Sequence, residues 1–300
     1  MSAELLSQLV AVIAPVFIVA CLGFFWDKAG FPFETNQMTQ LITYVGTPCL
    51  VVSTLLRVDL SLTDLGLIAL ASLTLQLSMG LAGFSVLRLF GLPHRPFLPL
   101  LMYPNNGNMG LPICLFAFGE AGLALAISYF TVSAVGQFTV GQTIASGHAS
   151  LLKLLRTPIV WAVFVAVSLI ATNSELPLWA SNTINLVGQF TIPLMLIALG
   201  VSLGRMHTRS LGRSGLLAAL RIVGGSALGF AVAWLLDLHG VARAVVILQA
   251  SMPAAVFNYL FAQLHSNRPE EVAGVVMIST LMSFLSLPLL LWLLLPGSPA

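Results

Sequence analysis

The chain has 300 residues, 58% of them hydrophobic and only 7% charged, with a formal net charge of +2. Soluble domains carry roughly 25% charged residues, so this composition excludes a globular enzyme and fits an all-α polytopic membrane protein with short loops. The small net charge, without a basic cluster, excludes nucleic acid as a partner.

A membrane span needs about 20 mostly apolar residues. Ten segments qualify: 5–26, 37–56, 63–88, 96–118, 122–147, 155–172, 182–203, 214–236, 241–264 and 272–295. In the first, Ile18-Val19-Ala20-Cys21 loosely resembles a lipoprotein cleavage site, but Glu4 precedes it and no Lys or Arg does. A secretory signal needs a basic start, so residues 5–26 read as a retained helix. Cys21, Cys49 and Cys114 lie in apolar segments and read as small buried hydrophobes. The five histidines, His94, His148, His207, His239 and His265, fall in loops or at segment ends without metal-ligand spacing, so no cofactor is expected. Turn signals such as Gly91-Leu92-Pro93 and Asn173-Ser174-Glu175-Leu176-Pro177 separate several spans.

Loop Lys and Arg set orientation. Loops after odd-numbered spans contain Lys28, Arg88, Arg95, Lys153, Arg156, Arg205, Arg209, Arg213 and Arg268, whereas loops after even-numbered spans contain only Arg57 and Arg243. The odd loops are therefore cytoplasmic and both termini lie outside.

The fourth span is interrupted at its middle by Tyr103-Pro104-Asn105-Asn106-Gly107-Asn108-Met109-Gly110-Leu111-Pro112. Pro104 removes a backbone donor and disfavours helix at Tyr103. Gly107 and Gly110 tolerate unwound backbone. Backbone freed at that depth has no water to bind unless it lines a cavity. Asn105, Asn106 and Asn108 supply donors and acceptors there without charge. A helix restarting after Pro112 would aim free N–H groups and a positive dipole end at the cavity, which suits a carboxylate. The bland alternative is that the amides join helices and the glycines allow close packing.

The ninth span repeats the theme with Pro253 in Gln249-Ala250-Ser251-Met252-Pro253-Ala254-Ala255, followed by Asn258, Tyr259 and Gln263. Alone it could be a simple proline kink. It is not alone, because span 2 has Thr47-Pro48 and span 7 has Ile192-Pro193. Pro48 precedes Pro104 by 56 residues and Pro193 precedes Pro253 by 60. Five spans per half make the second half insert upside down, so residues 1–152 and 153–300 form two inverted five-helix repeats with broken spans 4 and 9 crossing. Crossed breaks at mid-membrane mark the solute site of a secondary transporter.

Arg221 is the only charge well inside a span, roughly 10 Å from its cytoplasmic end at 1.5 Å per residue. It is either a countercharge for an anionic solute or a side chain snorkelling to the interface. The offset of 145 that relates Pro48 to Pro193 also carries Gln76 of span 3 onto Arg221, making both candidates for one inward face. Every Asp and Glu falls in a loop or at a segment end. An antiporter relay, an intramembrane hydrolase and a magnesium-dependent prenyl transferase all require groups that are missing from these spans.

The ten-span layout and the string Pro104-Asn105 … Met109-Gly110-Leu111-Pro112 resemble the auxin efflux carrier family, whose plant members carry a similar P-N-x-x-x-M-G-x-P string in helix 4. Pro253 followed by Phe257 and Phe261 is similar to the family's helix 9. The resemblance implies a sodium/bile-acid symporter-like fold. It also implies a scaffold of helices 1, 2, 6 and 7, and a transport unit of helices 3–5 and 8–10 that moves as an elevator. The asparagine matching Asn105 contacts the substrate carboxylate in that family, and bacterial members are associated with malate, malonate and similar acids. Two features depart from the plant pattern: a short loop around His148–Arg156, and the residues Asn106, Gly107 and Asn108.

The expectation is a non-enzymatic bacterial inner-membrane transporter of a small organic anion, with lipid and a second copy in a homodimer as further partners. Substrate-binding candidates are Asn105, Asn106, Asn108, Ser251, Asn258, Arg221 and Gln76, and the break residues are Pro104, Gly107, Gly110, Pro112 and Pro253. Rival readings are a sodium-coupled symporter of bile-acid type and a non-transporting receptor or scaffold.

Overall fold

The computed structural model describes residues 3–58, 61–147, 158–172, 174–206 and 211–295. His148, Lys153, Arg156, His207 and Arg209 lie outside them. The described residues form helices joined by short connections. Their one piece of β pairing is an isolated bridge between Pro104 and Ala254.

In chain order the helices are α1 (Ala3–Lys28), α2 (Thr35–Arg57), α3 (Leu62–Leu89), α4 (His94–Met102), α5 (Asn106–Ser146), α6 (Pro158–Ala171), α7 (Leu178–Arg205), α8 (Gly212–Leu235), α9 (Gly240–Ala250), α10 (Val256–Leu264) and α11 (Pro269–Leu294). Among the described residues seven helices are long and apolar enough to cross a membrane: α1, α2, α3, α5, α7, α8 and α11. α6 and α9 are shorter apolar helices. Large apolar side chains such as Leu81, Trp234 and Leu285 are exposed on these helices, as lipid-facing residues must be.

As one rod, the 41 residues of α5 would reach about 60 Å, twice a hydrocarbon core. Gly119 prevents this: its φ of 67° and ψ of −159° break the rod into two limbs, at a backbone conformation few side chains tolerate. Local sequence sets other ends too. Ser61 caps α3 by accepting the Asp64 N–H at 3.0 Å. The Lys28 ammonium donates to the Gly204 carbonyl at 2.6 Å, capping the C-terminal end of α7 with a cation. Ahead of Pro48, the turn Ile42–Gly46 widens so that the Thr47 N–H reaches the Ile42 carbonyl, absorbing the disruption that the proline causes.

α1 packs along α7, while the second half of α2 packs on α6 and α7. At the α1–α7 contact, a Cβ on Gly23 or Gly200 would strike the Ile197 or Ala20 carbonyl, so the small residues let the two backbones touch. α3 packs on α4 and α5, α8 on α9 and α11, and α10 on α11.

Three sequence expectations need correction. The break in the fourth apolar segment covers only 103–105; Gly107, Gly110 and Pro112 are already helical. The two glycines serve packing instead: a Cβ would press Gly107 into the Phe130 ring at 3.0 Å and Gly110 into the Gln249 amide. Cys21 is exposed on α1, although Cys114 is buried as expected.

Candidate functional site

Tyr103 and Pro253 follow helix ends, and their chains run extended past each other. Tyr103 has φ −112° and ψ 99°, as the residue before a proline should. The Asn105 N–H donates to the Pro253 carbonyl at 2.7 Å, and the Ala255 N–H donates to the Tyr103 carbonyl at 3.2 Å. Pro104 faces Ala254 between these two bonds, in a position whose N–H would point away from the partner chain. A residue with no N–H therefore costs nothing there. The outward Ala254 N–H is taken by Ser279 Oγ of α11 at 3.1 Å. After the bridge Asn105 adopts φ −78° and ψ 59°, an inverse γ-turn closed by the Asn106 N–H on the Pro104 carbonyl at 2.8 Å. The chain is helical again from Asn106.

Helices thus end at Met102 and Ala250 on one side of the bridge and begin at Asn106 and Val256 on the other. The beginning of a helix carries roughly +0.5 elementary charge and its end roughly −0.5. Two positive ends lie together, and the N–H groups of Gly107, Asn108, Val256 and Phe257 precede the first helical bonds.

A cavity of about 410 Å³ opens over these positive ends. Its floor holds Pro104, Asn105, Asn106, Gly107 and Asn108, with Ser133 and Gln137 from α5. Its walls hold Phe130, Phe138, Ile159, Met195, Ala255, Val256 and Phe257, and its mouth lies toward Thr35, Arg205 and Gln263 at helix ends. Arg205 is the one charged lining residue among the described residues, and its side chain already donates to Asp27 at 2.6 Å and to Thr35 at 2.8 Å.

The polar floor is incompletely paired. Asn106 donates to Ser133 Oγ at 2.9 Å, but its own carbonyl oxygen and the Asn105 amide nitrogen are buried without a partner. A buried polar atom left unpaired costs about 1–3 kcal/mol, which a solute that bonds these floor amides would offset.

The remaining sequence candidates fall elsewhere. Asn258 is buried and braces the crossing: it donates to the Tyr103 carbonyl at 3.1 Å and accepts from Gln137 at 3.3 Å. Ser251 is fully buried and its hydroxyl donates to the Ile247 carbonyl of its own helix at 2.7 Å, away from the cavity. Arg221 does not snorkel. It is 2% exposed and donates to the carbonyls of Leu101 and Ala250, at the ends of α4 and α9. Gln76 shares with it a separate pocket of about 10 Å³, along with Tyr129 and Ser133. Both residues line that small pocket behind the crossing, and neither lines the main cavity.

Sequence reasoning missed Ser133, Gln137 and the aromatic wall. Ser133 and Gln137 stand four apart in an apolar helix, so they share a face, and that spacing was the available signal. Phe138 packs edge-on against Phe257 and Phe261, with ring centroids 5.0 and 5.9 Å away.

Residues 139–291 match the family model described as membrane transport protein. An uncharacterized transporter of Methanothermobacter thermautotrophicus is 27% identical over 287 residues, covering 91% of this chain and 94% of its own length. An uncharacterized transporter of Methanocaldococcus jannaschii is 27% identical over 205 residues, covering 65% of this chain and 66% of its own. With about half of its length matched, among relatives that are transporters and not enzymes, the chain belongs to the membrane transport protein family, that of the auxin efflux carriers.

Proposed function

We propose that this protein is a secondary transporter of a small organic anion, a carboxylate held where the two helix breaks cross. The carrying observation is the cavity floor. Unpaired Asn105 and Asn106 amide atoms and two positive helix ends meet at this floor, and among the described residues no carboxylate lines the cavity. An anion gains charge-assisted hydrogen bonds from the Asn105 amide nitrogen and the free helix N–H groups, and the Asn106 side-chain oxygen, an acceptor, suits a hydroxyl or other proton donor on the solute.

In this reading α4 and the first limb of α5 form the fourth of ten membrane crossings, and α9 and α10 form the ninth. The halves are inverted repeats. The matched breaks support this, as does the packing of α1, α2, α6 and α7 into one group and most other helices into another. The first group is the scaffold, and the second carries the solute across as an elevator. Loop Lys and Arg put both termini outside, so the mouth beside Thr35, Arg205 and Gln263 faces the cytoplasm.

The walls narrow the solute class. A compact dicarboxylate would ask for a second cation, and Arg205 is engaged at the mouth. Phe130, Phe138, Val256 and Phe257 offer apolar surface to a carboxylate with an apolar body. Uptake of a panel of aliphatic, aromatic and dicarboxylic acids into proteoliposomes tests the proposal. Uptake is expected for the wild type and is strongly reduced in Asn105→Ala. Equal uptake by both proteins would overturn the site.

A further inference from the structure

We infer that Arg221 is a tethered cation, held where a cation-coupled carrier would bind a mobile ion, so that transport here requires no sodium. The inference rests on reading the crossing as the transport site. In carriers with broken helices, the C-terminal carbonyls of half-helices are a recurrent cation site. Here those carbonyls belong to α4 and α9, and both are occupied by one guanidinium: Arg221 donates to Leu101 at 2.5 Å and to Ala250.

The charges balance. Two helix ends of roughly −0.5 each offset one guanidinium, as two helix beginnings across the bridge would offset one carboxylate. Arg221 has no ion pair among the described residues, and it is the only buried charged side chain among them. A buried charge without a partner is strongly destabilising, so the backbone ends are what retain it. The turn Leu220–Gly224 widens at Arg221, and Gly225 supplies the clearance, since a Cβ there would strike both the guanidinium and the Ala250 carbonyl. The pocket left beside the guanidinium, about 10 Å³, has room for at most one water, and a second cation there would sit against the guanidinium charge.

The test measures thermal stability of the full chain in detergent by tryptophan fluorescence, and it needs no substrate. Wild-type Tm should be equal in sodium chloride and choline chloride; a rise specific to sodium would overturn the inference. Arg221→Ala should lose about 10 °C. Millimolar guanidinium chloride, set against choline chloride, should restore part of that loss. An unchanged Tm, or a loss that neither guanidinium nor sodium reverses, would overturn it. If Arg221→Ala yields no folded protein, Arg221→Lys keeps the charge and should remain indifferent to sodium; stabilisation of that variant by sodium would be the contrary result. For any acid the wild type accumulates, rates in sodium and choline media should match, and dependence on sodium would overturn the inference. If no acid is accumulated at all, the function proposal fails while the Tm measurements still decide the role of Arg221.

Discussion

The two helix breaks are alike in backbone and unlike in side chains. Each ends a helix, passes a proline through an extended stretch and starts a new helix beside the other. Past Pro104 come Asn105, Asn106 and Asn108; past Pro253 come Ala254, Ala255, Val256 and Phe257. The first break therefore presents amides to the cavity and the second presents an apolar wall. Both contribute a helix beginning. The duplicated element is the backbone field that attracts an anion, and the unduplicated element is the chemistry that selects among anions. Asn258, the first amide past the second break, is turned away to hold the Tyr103 carbonyl.

The sharpest way to break this comparison is to remove the amide on one side. Asn105→Ala should reduce uptake by about 10- to 100-fold, the loss of one hydrogen bond to a charged group. Ala255→Ser, at the matching place on the other strand, should change uptake little, because nothing there depends on a side-chain polar group. Comparable losses in both variants would mean that the breaks share the ligand equally. The next effect concerns the wall. Phe138→Ala should weaken transport of an aromatic acid by about tenfold through lost apolar burial. It should spare an acid as small as acetate, which competition assays would distinguish.

The breaks were legible in the sequence because proline and asparagine at mid-span have few other uses in lipid. Their boundaries were less so. The string 103–112 suggested a long unwound stretch, yet only three residues leave the helix. Gly107 and Gly110 are needed for the neighbours they touch, which a single sequence does not reveal. Arg221 is visible in the sequence as the one charge well inside a span, but its partners are backbone carbonyls 120 and 29 residues away, and carbonyls carry no residue signature. Ser251 reads as a ligand in the sequence because it is polar and near a proline. Spacing could not say that its hydroxyl turns back on its own helix.

Asn258 separates bracing from binding. Asn258→Leu removes the donor to the Tyr103 carbonyl and the acceptor for the floor residue Gln137, while Asn258 itself does not line the cavity. The expected result is a stability loss of about 1–3 kcal/mol, with KM for the transported acid nearly unchanged. Thermal melts beside concentration-dependent uptake measure the two quantities. A large rise in KM with intact stability would move Asn258 into the binding set and make the second break a ligand donor after all.

The smallest effect is expected at Ser251. Its hydroxyl donates to the Ile247 carbonyl one turn back, which also receives the Ser251 N–H at 3.0 Å. The carbonyl therefore keeps a partner when the hydroxyl is removed, and alanine carries no polar group to strand. The site is fully buried, so no water competes and little space opens. Ser251→Ala should shift stability by less than about 1 kcal/mol and leave uptake at the wild-type rate. A transport defect in this variant would show that Ser251 turns toward the solute in another state of the carrier, and the second break would then be polar when it matters.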